Sequence, residues 1–319
     1  MNGKKKENHS SGRTSAVRRH EMRSSLSRIL RDLIRRAEKL EAYKAQIWLG
    51  LWAGGLLFVW LWDFLFLNAP ERAMLQIAFG NSMFIASVVA IWTMVLGWLL
   101  AFALEFWEVR EKTFLKTVGQ FALNLIRSLP QIVGVLLGYV WITYLMDQGR
   151  LAGSVSAMLW MAFFLSLFIL PEVVDMLRER IRHFRQSDFY NAMRVLGIAE
   201  WRIINDDILW KNSRIHLLNK TIAVFASAIF LQCSVDFIIS VGLSTRVSAL
   251  NLPTTLGSLL ANIDSKQDIL AIGYSLTHPW YFPNLFFVHL QGISVAFVII
   301  FTLFALFKMT NALAERFHL

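Results

Sequence analysis

Residues 189–204 read FYNAMRVLGIAEWRII. This stretch lies between two long apolar runs, yet it mixes apolar side chains with Asn191, Arg194, Glu200 and Arg202 and carries a lone glycine, Gly197. Ser187 or Asp188 can cap a helix N-terminus, and the Asp188 charge favours the helix dipole there. Residues 189–196 then give about two helical turns. Gly197 stands where a left-handed residue ends such a helix. Residues 199–210 predict a second helix, with Ile203, Ile204, Ile208 and Leu209 on one face and Glu200, Asn205 and Asp206 on another. Two short helices joined at a glycine form a bent, partly apolar projection. Its exposed face is expected to carry Phe189, Tyr190 and Met193, which suit a groove in a partner protein. The alternative is a connector that only packs on its own membrane helices.

The runs on either side set the fold class. The chain has 319 residues, 56% hydrophobic and 17% charged, and a mean hydropathy of +0.49. Several apolar runs of about 20 residues are each long enough to cross a bilayer as a helix, and a soluble core of this size has no room for them. A spanning β-barrel would show short alternating strands instead. The reading is an all-α, polytopic membrane protein. One cysteine, Cys233, excludes an intrachain disulfide and a zinc-type cysteine cluster. The net charge of +10 does not point to nucleic acid, because the basic residues cluster beside the ends of particular spans.

Six spans are predicted, at about 46–67, 82–104, 130–146 (or from 119), 153–177, 217–243 and 283–307. Thirteen Lys and Arg precede the first, and the next loop holds only Arg72. Arg110, Lys112, Lys116 and Arg127 follow the second span, and Arg150 alone follows the third. Nine lie from Arg178 to Lys220, then Arg246 and Lys266, then Lys308 and Arg316. Basic-rich and basic-poor segments alternate, which places both termini, and the connector at 178–216, in the cytoplasm. The segment at 244–282 is then extracytoplasmic. Its NLPTTLGSLLANI stretch is expected to turn back toward the membrane or cap the mouth of a path. Residues 46–313 form the transmembrane domain.

The 45 residues before it are basic and are no cleavable signal peptide. Over about 17–44, Met22, Leu26, Ile29, Leu30, Leu33, Ala37 and Leu40 share one helical face among basic residues. That pattern predicts a helix lying on membrane lipid. It serves as a positive-inside anchor, or as a regulatory or partner-docking element.

No GxxxxGK[ST], HExxH or GxSxG motif occurs, and no two histidines stand at ligand spacing, so no catalytic residue or metal site is assigned. His289, in the sixth span, is read as an interhelical hydrogen-bonding histidine, or as a residue that lines a path or binds a metal. Asp236 is the acid placed deepest in a span, with Gln232 one turn earlier on the same face. It is read as facing a path, or as hydrated near the span's outer end. Glu172 and Asp175 are expected to be hydrated or paired with Arg178 and Arg182.

In residues 191–210 the chain resembles a family signature. Membrane subunits of binding-protein-dependent ATP-binding-cassette importers of the type I fold carry Glu-Ala-Ala, three residues, Gly, about ten residues, then Ile-Leu-Pro. Here Asn191-Ala192-Met193 precedes Gly197 at that spacing, and Ile208-Leu209-Trp210 follows. The EWRII after Gly197 is close to the DWRII of peptide-transporter permeases. LIRSLPQIVGVLLG (125–138), with Pro130, resembles the start of their central span. SVDFIISVGLS (234–244) is similar to SLSFLGLG, PTTLGSLLA (253–261) to PSWGNMLA, and HPWYFPNLFF (278–287) to APWLALFPGL. Order and spacing over about 80–316 match the C-type permease of dipeptide, oligopeptide and nickel importers. Asn191 replaces the family's Glu, Met193 its Ala and Trp210 its Pro. Gln232 falls where a Glu precedes the SLSF stretch.

The resemblance implies a six-helix permease of the bacterial inner membrane. It implies pairing with a second permease subunit, two ATPase subunits and an extracytoplasmic solute-binding protein. ATP and Mg would be bound on the ATPases, with no cofactor on this chain. Phe189, Tyr190, Asn191, Ala192, Met193, Gly197, Glu200, Trp201 and Arg202 would form the ATPase-coupling loop. Pro130, Gln232, Asp236 and His289 would line the translocation path. The substrate would be a peptide or similar small solute, chosen largely by the binding protein. Two other classes are weighed: a membrane scaffold or regulator with the permease fold, and an ion-coupled secondary transporter using Asp236 and His289.

Overall fold

The computed structural model describes residues 43–110, 113–151, 153–242 and 252–315. The predicted surface helix before residue 43, and residues 244–251 of the long outer segment, lie outside them. The chain divides into two units, residues 1–47 and 48–319. Of the first, only residues 43–47, the opening turn of α1, are described.

The described residues are helical, with no strand among them. Helix α1 is Tyr43–Phe66, α2 is Ala69–Val109, α3 is Thr113–Ser128 and α4 is Gln131–Asp147. Helix α5 is Ser154–Arg185, α6 is Asp188–Val195, and α7, Glu200–Arg202, runs directly into π-helical winding over Ile203–Asn212. Then come α8 (Arg214–Gly242), α9 (Leu256–Leu260), α10 (Ile263–Thr277), α11 (Asn284–Phe287) and α12 (Leu290–Glu315). Five helices are long and apolar enough to cross a membrane, and the bent pair α3–α4 makes a sixth if taken as one span. The chain is thus a helical, multi-pass membrane protein.

Several boundaries differ from the sequence expectation, each for a local reason. The loop predicted at 68–81 is the start of α2. Pro70 stands in the first turn, where its missing N–H costs nothing, Glu71 favours the dipole, and no further proline follows in the helix. Helix α2 therefore has 41 residues, about 62 Å at helical rise, and α5 has 32, about 48 Å. Both exceed the roughly 30 Å of a hydrocarbon core. Their C-terminal turns, with Glu105 and Glu108 on α2 and Arg178 to Arg185 on α5, carry the charge that suits projection beyond it.

The third span is broken. Helix α3 meets α4 at 92° across Leu129–Pro130, because proline excludes the helical conformation from the residue before it. Helix α4 packs on α5 at Gly134 and Gly138. A Cβ at Gly134 would lie 2.2 Å from Phe168, and one at Gly138 would lie 2.3 Å from Phe164. Glycine here lets an aromatic ring sit against the backbone.

The predicted outer segment contains α9 and α10, and the last span starts at Leu290, after a short α11, rather than at 283. The core is built by α2, α5 and α8, with Ile85, Val89, Leu165, Ile169, Val224 and Ala228 buried between them. Helix α12 packs on α8 and α10. Helix α1 lies along α12, with Trp52 Nε1 donating to Thr302 Oγ1 at 3.1 Å.

Candidate functional site

The connector from α5 to α8 forms an elbow whose geometry follows from its residues. Ser187 occupies the N-cap position of α6 with extended backbone, but its Oγ donates backward to the Phe184 carbonyl at 2.6 Å rather than capping. Gly197 has φ +76° and ends α6. The N–H of Ile198 bonds the Met193 carbonyl at 3.2 Å, and that of Gly197 bonds Arg194 at 3.0 Å. This is the double closure of a Schellman motif, and Met193 and Ile198 both pack against the core beside it. The predicted left-handed glycine is in place.

Past the elbow the chain winds with i→i+5 periodicity over Ile203–Asn212. The buried pairs Ile203/Ile208 and Ile204/Leu209 are five residues apart, so the wider winding keeps both on the core side. This face agrees with the sequence pattern. Asp207 is also buried, held by Lys211 Nζ at 2.6 Å.

An ionic cluster anchors the elbow to the long helices. Glu105 of α2 is fully buried. It accepts from Arg178 Nε at 2.8 Å and Arg185 Nη1 at 2.7 Å, with Arg182 Nε at 3.4 Å. Glu108 adds contacts to Arg178 at 3.3 Å and Lys116 at 3.3 Å. Arg185 also donates from Nη2 to Glu200 Oε1 at 3.0 Å, and Tyr190 Oη donates to the same oxygen at 2.7 Å. One guanidinium therefore bridges a carboxylate of α2 and a carboxylate beyond the glycine. Trp98 Nε1 of α2 donates to Asn205 Oδ1 at 2.9 Å, fixing the π-helical segment as well. Burial, then the bond to Glu200, raises the Tyr190 phenol above its usual pKa of 10.0.

Two sequence expectations change here. Of the residues expected on the exposed face, Tyr190 is buried, its hydroxyl reaching inward to Glu200, and Met193 is half-buried against the core; Phe189 alone is exposed. Arg178 and Arg182 pair with Glu105 and Glu108, not with Glu172 and Asp175. Glu172 instead meets Gln131 Nε2 at 2.8 Å and Lys220 Nζ at 3.0 Å, and Asp175 meets Arg127.

The outer surface of the elbow exposes apolar side chains among charged and polar ones, Asp188, Arg194 and Asp206 included. Val195 is 88% exposed and Leu196 75%. Phe189, Trp201 and Trp210 are exposed too, as are Asn191, Ala192 and Arg202. The sequence pattern does not mark Val195 and Leu196, the two residues just before the glycine.

The other predicted residues lie elsewhere. Asp236 is buried in α8 and accepts from Thr255 Oγ1 of the segment before α9. That segment is folded into the bundle: Leu256 N donates to Ser82 Oγ of α2 at 3.0 Å, and Asn81 Nδ2 to the Thr254 carbonyl at 2.8 Å. Gln232 is fully buried one turn before Asp236, and neither of its amide atoms has a partner among the described residues. In this conformation both residues are enclosed by the chain itself. His289 sits at the break before α12, with Nδ1 3.0 Å from Asp268 Oδ1 and Nε2 2.7 Å from Tyr281 Oη. Pro130 stands exposed at the α3–α4 bend. Gln232 and Asp236 thus share a site that His289 and Pro130 do not join. Among the described residues no group of three or more His, Cys, Asp or Glu is arranged to hold a metal. No protein-family model and no curated protein matches this chain.

Proposed function

We propose that this chain is a transmembrane subunit of an ATP-binding-cassette importer in a bacterial inner membrane, and that the elbow at 187–210 couples it to an ATPase partner. The observation that carries this reading is the construction of the elbow. Its outer surface presents the exposed apolar side chains of Val195 and Leu196, while its inner side is tied through Arg185 to both Glu105 and Glu200. A force applied at Val195 or Leu196 reaches α2 and α5 through charge-assisted hydrogen bonds and the buried isoleucines. A flexible loop would absorb the displacement. A braced one transmits it to helices long enough to cross the membrane and project from it.

The alternation of basic and basic-poor segments supports a cytoplasmic elbow and an even number of crossings. The motif resemblance adds the type I permease fold, a second permease subunit, a solute-binding protein, and a peptide or similar small solute as cargo. ATP and Mg belong to the partner. Closure of the ATPases would favour one state of the path by differential contacts at the elbow.

The test is co-purification of the tagged full chain, followed by reconstitution. An ATPase with a phosphate loop should co-purify, and cysteine at Val195 or Leu196 should cross-link to it. Transport by the chain alone in ATP-free vesicles would replace this reading with a secondary transporter. Partner binding without transport would replace it with a scaffold.

A further inference from the structure

A groove of about 470 Å³ lies between α1 and the start of α2. Its walls are apolar along most of its length, with Trp52, Leu56 and Trp60 on α1 and Leu75 and Phe79 on α2. Its polar residues gather toward one end. Asp63, in the last turn of α1, and Arg72, in the first turn of α2, both line it, with Gln76 one turn below Arg72. From Asp63 back to Trp52 is eleven residues, about 16 Å of helix.

Asp63 is an unusual lining residue. It is 1% exposed. One carboxyl oxygen accepts from Ser294 Oγ at 2.6 Å, and the other, Oδ2, meets no donor among the described residues. A buried carboxyl oxygen without a donor is costly, so it calls for a ligand that brings one. Arg72 is held in place by Nη1, which donates to the Phe64 carbonyl at 3.1 Å, and by stacking over the Phe64 ring at 4.6 Å. A guanidinium positioned at the α1–α2 corner is suited to a phosphate.

We propose that this groove binds one membrane phospholipid with a primary-amine headgroup. The acyl chain lies along Trp52, Leu56 and Phe79. The phosphate meets Arg72 and Gln76, and the ammonium, after a small rotation of the carboxyl, donates to Asp63. The order of the contacts carries the assignment. Cation acceptor and phosphate donor stand at the helix corner, where a span ends, and the apolar trough runs from there into the span. This is the polarity of a lipid in its own leaflet. An apolar transmembrane helix of another subunit would leave the Asp63 oxygen without a donor. A choline headgroup fits the trough but has no N–H to give.

The test uses the full chain in detergent, delipidated and then exchanged with phosphatidylethanolamine, phosphatidylcholine or phosphatidylglycerol of matched chains. Retained lipid is read by native mass spectrometry. Phosphatidylethanolamine should be retained about tenfold over phosphatidylcholine, the effect of one charge-assisted hydrogen bond. Asp63→Asn keeps an acceptor for Ser294 and should remove most of that preference while phosphatidylcholine retention holds. Arg72→Gln should weaken both. Ala53→Trp, which fills the trough, should abolish retention of all three, with thermal melting confirming that it folds. Equal retention of the three lipids by the unaltered chain would overturn the proposal, as would retention unchanged by Ala53→Trp. Photo-cross-linking from Leu56 to a protein helix rather than to lipid would overturn it as well.

Discussion

Replacing Arg185 with glutamine tests the brace directly. The guanidinium makes two charge-assisted bonds, to Glu105 at 2.7 Å and to Glu200 at 3.0 Å, from a side chain only 18% exposed. Each such bond contributes about 1.5–3 kcal/mol, for a gross loss of roughly 3–6 kcal/mol. Glu105 keeps Arg178 and Arg182, and Glu200 keeps Tyr190, so neither carboxylate is stranded. The lower end, about 3 kcal/mol, is therefore expected. That energy stabilises the elbow against local opening rather than the whole bundle, whose core lies in α2, α5 and α8. Hydrogen exchange of the full chain, read by mass spectrometry, reports local opening. At 1.4 kcal/mol per tenfold, amides of 188–212 should exchange roughly 100-fold faster in Arg185→Gln, while those of α12 stay unchanged. Glu200→Gln, which leaves the Glu105 contact intact, should accelerate exchange by no more than about tenfold. If the elbow amides of a folded Arg185→Gln protein exchange within about threefold of the unaltered rate, Arg185 is not the brace.

Gly197→Val should lower transport-linked ATPase activity while membrane insertion persists. The φ of +76° is strained for a β-branched residue by about 1–2 kcal/mol. No atom crowds a Cβ there, so Gly197→Asn should be tolerated better, and equal effects of the two would point to some other cause. The Tyr190 phenol should ionise above its usual range in an ultraviolet difference titration, and Glu200→Gln should bring it down. Because the folded pKa is raised, the stabilisation linked to this phenol is present below about pH 10 and is lost as pH rises through the folded value. No downward shift in Glu200→Gln would remove the hydrogen bond from the account. Gly138→Ala puts a methyl 2.3 Å from the Phe164 ring, so α4 and α5 must separate. It should cost about 1–3 kcal/mol of stability in a melting assay, and Phe164→Leu should restore part of that loss.

Much of this structure is legible in the chain because it rests on local rules. Gly197 announces a left-handed turn, and Pro130 announces a break. The apolar pairs at 203/204 and 208/209 announce a buried face. The winding of that face was not legible, since a five-residue spacing reads equally as an α-helix with an irregular stripe. Nor were the partners of the arginines. Arg178 and Glu172 lie close in sequence on one helix, and nothing local indicates that Glu105, 73 residues away, is what Arg178 meets.

Asp63 shows the same limit. Alone it reads as an acid near the end of a span. Only the approach of α2 and α12 gives it a serine donor on one side and an apolar trough on the other. What the sequence determined by itself was the class of the protein and the bend of the elbow. Apolar run length, charge alternation, glycine and proline act through solvent and through the backbone of a few neighbouring residues. What the tertiary structure alone decided was which charges meet, which tyrosine is hidden and which leucine is bare. Those outcomes depend on the packing of helices far apart in the chain, and the energy that selects them belongs to the contact between them rather than to either segment.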